Sequence, residues 1–75
     1  MLKELTHRQS EVVAVIKRHI DEQGYPPTTR EIAQTLGVTP TAAEQHVVAI
    51  EKKGALKRTP GIARGIRLLS QGNAR

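Results

Sequence analysis

A break of about three residues, Gly37-Val38-Thr39, separates two helical patterns and constrains this chain more than any other feature. Before it, residues 28–36 read TTREIAQTL, with Ile32, Ala33 and Leu36 on one face at the spacing of a buried helical stripe. Gly37 stands where a helix ends in a left-handed residue, a conformation that costs glycine nothing. Thr39-Pro40 then restarts a helix, with a hydroxyl at the N-cap and proline at the first helical position. Two helices joined this closely form a helix-turn-helix, whose second helix most often reads the DNA major groove. That helix ends at Lys52-Lys53-Gly54, with cations near its negative pole and a glycine stop. Ala43, Val47 and Ile50 share its inward stripe. Thr41, Glu44, Gln45, Val48 and Lys52 lie opposite, with Ala42 at the margin.

The rest of the chain supplies something for this pair to pack on. Thr6 and Gln9 have the spacing of a capping box, and Val12, Val13, Ile16 and Ile20 follow as an apolar helical stripe ending near Gln23-Gly24. Gly24-Tyr25-Pro26-Pro27 cannot be helical, because each proline removes a donor and biases its predecessor to extended geometry. Thr28 or Thr29 caps the next helix, and Thr28 with Glu31 repeats the capping-box spacing. After Gly54 the period changes from helical to alternating. Residues 55–59 and 66–69 read as short strands around a turn-rich loop of about six residues, Pro60 to Gly65. Leu56, Ile66 and Leu68 are expected to face the core, and Lys57, Arg58 and Arg67 to stay wet. The predicted fold is mainly α with a small β-hairpin: a winged helix-turn-helix of three helices and a two-stranded wing. It is expected over residues 1–69, with 70–75 a flexible tail or the start of a linker.

Charge and length narrow the function classes. A chain of 75 residues forms one small core and has no room for a large enclosed active site. Its net charge of +5 arises entirely after residue 37, where seven Lys/Arg face only Glu44 and Glu51. A basic C-terminal half is the footprint of a phosphate-backbone binder. With no cysteine, disulfide and thiol chemistry are excluded. No apolar run reaches bilayer length and no signal peptide is legible, so a cytoplasmic location without membrane contact is expected. His7, His19 and His46 are dispersed without metal-ligand spacing, and no nucleophile constellation has a pocket. The chain is expected to be non-enzymatic, with no cofactor, no metal and no small-molecule substrate.

Four pieces of wording, in order, carry a family resemblance: the GYPPT connector, the EIAQTLG turn, the PTAAEQH opening of the third helix and the RGIRLL strand. Together they closely resemble the N-terminal DNA-binding domain of LexA repressors, regulators of the bacterial SOS response, over Leu5 to about Leu69. The resemblance implies a winged helix-turn-helix whose third helix enters the major groove at a CTGT-type half-site while the wing touches the backbone. By position, Thr39, Thr41, Ala42, Glu44 and Gln45 match the DNA-facing start of that helix. Lys53 and Arg64 match basic residues near the backbone. The chain departs from the family at a turn one residue shorter between Gly37 and Pro40, at Thr41 in place of asparagine, at Gln45 in place of glutamate, and at Val48 on a face that is often basic. The family's C-terminal dimerisation and self-cleavage domain lies outside these residues. The chain is therefore expected to be either the excised domain of a longer repressor or a stand-alone relative encoded by a phage or plasmid.

The candidate site has two parts. Thr39, Thr41, Ala42, Glu44, Gln45 and Val48 are expected to read bases: Gln pairs bidentately with adenine, Glu accepts from cytosine N4, and an aliphatic group touches a thymine methyl. The alternative duties are a plain cap for Thr39 and a capping box completed by Thr41 and Glu44. Thr28, Lys52, Lys53, Arg58 and Arg64 are expected on the DNA backbone, with Lys57 and Arg67 as further candidates and Arg64 the strongest. The expected partner is double-stranded DNA carrying a pseudo-palindromic operator, bound by two weakly dimerising copies. A protein-interaction module that uses the Val48 face to hold a repressor or replication protein is the reading from a different class.

Overall fold

The structure is a computed structural model that describes residues 4–69; the tail expected over 70–75 lies outside the described residues. Three helices, α1 (His7–Gln23), α2 (Thr29–Leu36) and α3 (Pro40–Lys52), are followed by strands β1 (Leu56–Arg58) and β2 (Ile66–Leu68). The strands pair antiparallel, with Leu56 opposite Leu68, Lys57 opposite Arg67 and Arg58 opposite Ile66. This is the three-helix, two-stranded winged arrangement expected from the sequence.

Each helix starts where a hydroxyl satisfies an amide that has no partner within the helix. Thr6 Oγ1 accepts from the Gln9 amide at 3.1 Å, and Gln9 Oε1 accepts from the Thr6 amide at 3.1 Å. Of the two candidate caps for α2, the structure uses Thr28: its hydroxyl accepts from the Glu31 amide, and Glu31 Oε1 accepts from the Thr28 amide at 2.9 Å. Thr39 caps α3 by accepting from the Ala42 amide at 3.1 Å, with Pro40 in the first turn. Between α2 and α3 the chain turns at Gly37, whose φ of 71° lies in the left-handed region. The Gly37 and Val38 amides both return to the Ala33 carbonyl, which closes α2 and sets the angle at which α3 departs.

The inward stripes meet in one core. Val12 and Ile16 of α1, Ile32 and Ala33 of α2, Ala43, Val47 and Ile50 of α3, with Ala55, Leu56 and Ile66, are buried together. Helix α3 is the central member, packed against α1, α2 and β1. Four residues expected to face the core, Val13, Ile20, Leu36 and Leu68, are only partly buried and pack against its edge. They sit at the margins of their stripes, where a small domain no longer covers them. Pro27 in the connector is fully buried. So is most of Gln9, which is 8% exposed because its side chain is tied down at both ends of a capping and a long-range bond.

The wing loop is longer than the six residues expected, running from Thr59 to Gly65. Two successive turns, closed by Ile62 N to Thr59 O and Gly65 N to Ile62 O, fold it back on itself, and the Thr59 amide donates to Gly65 O. A Cβ at position 65 would lie 2.9 Å from Thr59 O and 3.0 Å from Ile62 O, so only glycine lets the loop close this tightly. Among the described residues no helix is long and apolar enough to cross a membrane.

Candidate nucleic-acid interface

With 3.6 residues per turn, Thr41, Gln45, Val48 and Lys52 fall within about 60° of one another around α3. The core anchors Ala43, Val47 and Ile50 occupy the opposite side and are fully buried. Thr41, Gln45 and Lys52 are exposed, and Val48 is half-buried. The helix therefore presents a short polar row with one aliphatic group, held rigidly by its own buried face. Ala42 lies half-buried at the margin of this row, and Thr39 stands exposed at the cap. The Thr39 hydroxyl still has its proton to donate, because the cap uses it only as an acceptor.

Glu44 does not complete a capping box. The third position of α3 is Ala42, and the Glu44 carboxylate turns instead to the wing. Arg58 Nη1 donates to Glu44 Oε1 at 2.9 Å and Nη2 to Oε2 at 2.8 Å, a two-pronged fit of guanidinium to carboxylate. Thr29 Oγ1 adds a longer bond to Oε1 at 3.5 Å, and Arg58 Nε lies 3.7 Å from Glu51. The Arg58 fork is the main cause holding the Glu44 carboxyl below its usual range. Arg58 was expected to stay wet, yet its side chain is only 29% exposed. Burying its stem against α3 and satisfying its head with Glu44 is what an arginine does at such an edge.

Two further cations expected on the DNA backbone are also engaged within the protein. Lys53 Nζ donates to Gln9 Oε1 at 2.6 Å and to the Glu4 carbonyl at 3.0 Å, tying the end of α3 to the start of α1. Arg64 grips Glu31 through both terminal nitrogens at 2.8 and 2.9 Å, donates to the Pro26 carbonyl at 3.0 Å, and lies 4.6 Å from the Tyr25 ring centroid. It thereby straps the wing loop to the connector and to the first turn of α2. Tyr25 meets His19 edge-on, and His19 Nδ1 lies 2.9 Å from the Tyr25 carbonyl. Thr28 spends its hydroxyl on the α2 cap.

Lys52, by contrast, makes no ion pair among the described residues, nor do Lys57 and Arg67. The last two lie directly opposite each other across the β1–β2 ladder, an unfavourable pairing of like charges that an anion would relieve. Arg30 belongs with them, although no expectation from the sequence includes it. It is exposed, carries no ion pair among the described residues, and follows Thr29, whose hydroxyl lies 3.5 Å from Glu44 on α3. Its signal was a basic residue in the first turn of the first motif helix, the turn that crosses the DNA backbone in a helix-turn-helix. Among the described residues, no group of His, Asp and Glu is arranged to hold a metal.

The Arg64 strap yields a pH prediction. Hydrogen bonding from Arg64, and next the Thr28 amide, hold the Glu31 carboxyl at about 2 against an ordinary 4.5. A carboxyl depressed in the folded state stabilises the fold fully above its unfolded value, and this contribution is lost as pH falls from 4.5 through about 2. Glu31→Gln keeps the capping-box geometry but removes the charge. Its thermal midpoint should therefore fall less than the wild type's between neutral pH and the acid window below 4.5. Parallel curves for the two proteins would show that the strap adds no acid-sensitive stability.

Comparison with known proteins shows the family. A family model described as the LexA DNA binding domain matches residues 2–65. The chain is similar to the LexA repressor of Pseudomonas chlororaphis, with 56% identity over 69 residues that cover 91% of this chain and 34% of the repressor. Similarity extends to LexA repressor 1 of Pseudomonas putida, 55% identical over 69 residues with 91% of this chain and 34% of the repressor covered. The LexA repressor of Pseudomonas aeruginosa is 50% identical over 68 residues, covering 89% of this chain and 33% of its own. The chain thus spans about a third of the length of these relatives.

Proposed function

Since the chain belongs to the LexA DNA-binding domain family, we propose that it binds double-stranded DNA sequence-specifically, as the DNA-reading part of a LexA-like repressor in SOS-type regulation. One observation carries the reading: α3 has its buried anchors on one side and the row Thr41, Gln45, Val48 and Lys52 on the other. Such a helix fits the major groove, with Thr39, Thr41, Ala42, Glu44, Gln45 and Val48 towards base edges. Lys52, Arg30, Lys57 and Arg67, which make no ion pair among the described residues, take the phosphates. Lys53, Arg58 and Arg64 act first as the frame that holds α1, α3 and the wing in place, and Thr28 as the α2 cap. Two copies reading a pseudo-palindrome about one helical turn apart would raise affinity through avidity. The domain itself performs no catalysis on this reading and acts in the cytoplasm. The protein-interaction alternative rested on Val48, and the polar residues flanking Val48 in the row favour DNA.

Two substitutions separate base reading from charge. Gln45→Ala should relax preference at particular base positions and leave the salt dependence unchanged. Lys52→Ala should weaken binding to all duplexes alike and reduce the slope of log affinity against log salt by about 0.9. Equal loss on every duplex for both variants would contradict this division of roles.

A further inference from the structure

The Glu44–Arg58 pair joins the reading helix to the wing in a way that neither charge counting nor helix periodicity explains. A carboxylate has about four lone-pair sites on its two oxygens. Arg58 uses one on each oxygen, and Thr29 Oγ1 stands over Oε1 at 3.5 Å, which leaves Oε2 with the open acceptor site. The plane of the carboxylate is fixed between two elements, since α3 carries it and β1 supplies the fork, with the Thr29 hydroxyl of α2 alongside. Arg58 is itself held from behind by Glu51 at 3.7 Å. Glu44 lies about 60° of helix arc from Thr41, on the flank of the outward row, with its side chain 45% exposed. An unpaired glutamate there would sample several rotamers and bring bare negative charge between phosphate strands. Paired with Arg58, it is both aimed and neutralised.

We propose that Arg58 is a positioning residue for sequence recognition: it directs the remaining acceptor site of Glu44 at a base-pair edge that carries an exocyclic amino group, such as cytosine N4. This rests on the reading of α3 as a groove-binding helix. It assigns Arg58 a part in specificity rather than a phosphate contact, and it makes wing docking and base reading a single unit.

The test uses Arg58→Lys, Glu44→Gln and the double variant, with preferred duplexes enriched from a randomised duplex pool on the wild-type chain. Lysine keeps the charge but lacks the planar fork. Glu44→Gln should relax preference at one base-pair position of the half-site by about tenfold, the scale of one good base contact. Arg58→Lys should relax the same position severalfold with the salt slope unchanged, and the double variant should be no worse than Glu44→Gln alone. Thermal unfolding of each variant shows that it is folded, and Arg58→Gln serves in the same comparison if the lysine variant is not. Retention of the wild-type preference by Arg58→Lys at the Glu44-dependent position overturns the assignment, as does equal weakening on every duplex. Absence of any Glu44-dependent position overturns it too. A wild-type chain that prefers no duplex overturns the groove-reading on which it rests, an outcome distinct from the others.

Discussion

Replacing Ile50 with alanine should remove a large part of the domain's stability. Ile50 is fully buried at the end of α3, among side chains contributed by all three helices and the wing. Its carbonyl accepts from the Ala55 amide, the bond that turns the chain from α3 into β1. Truncating a buried isoleucine to alanine costs about 2–5 kcal/mol, through lost transfer energy and the cavity left behind. A chain of 75 residues has a total stability of roughly 4–11 kcal/mol, so this single change removes much of it. The thermal midpoint should fall by more than about 10 °C. Ile62 provides the internal control, since it is 58% exposed at the wing tip. Ile62→Ala should shift stability by no more than about 0.5 kcal/mol, as surface substitutions do. Similar midpoints for the two variants would mean that the core is not centred on α3.

Val48→Glu should have the opposite profile, an intact fold and lost binding. Val48 is only half-buried and lies on the outward row of α3, so the fold should change by about 0.5 kcal/mol or less. In the groove, the new carboxylate would meet phosphates on both sides without the partner that Glu44 has in Arg58. Juxtaposed like charges cost several kcal/mol, and each 1.4 kcal/mol is a factor of ten, so affinity should drop by about a hundredfold or more. Random duplexes should lose affinity through the added charge, preferred duplexes should lose more because the thymine-methyl contact goes as well, and the charge-driven part should shrink as salt rises. A variant that binds as the wild type does would place Val48 outside the contact surface.

Local chemistry was legible in the sequence, and long-range chemistry was not. The capping boxes at Thr6–Gln9 and Thr28–Glu31, the Gly37 turn and the Thr39 cap each depend on residues within four positions of one another, so spacing alone reveals them. The buried stripes of α1, α2 and α3 followed from periodicity. Their margins did not, because Val13, Ile20 and Leu36 are apolar whether or not the neighbouring element reaches them. The candidate site was half visible. The outward row of α3 came directly from helix phase. The pairing of Lys53 with Gln9, of Arg58 with Glu44 and of Arg64 with Glu31 spans separations of 44, 14 and 33 residues, over which no local pattern exists. From sequence these three cations look like solvated phosphate ligands, and only folding brings their partners within 3 Å. Arg30 is the complementary case: its place in the first turn of α2 is local, but nothing local shows that it makes no ion pair among the described residues.

Titration of the wild-type chain with duplexes tests the central claim most directly. Preferred duplexes enriched from a random pool would be compared with random duplexes at about 50 mM and about 200 mM salt, a range over which phosphate contacts lose affinity steeply. If α3 reads bases and Arg30, Lys52, Lys57 and Arg67 hold phosphates, the enriched duplexes bind more tightly than random ones at both salt levels. Log affinity then falls with log salt by about 0.9 for each phosphate engaged. Absence of binding to any duplex at the lower salt, or equal affinity for every sequence, would contradict the account.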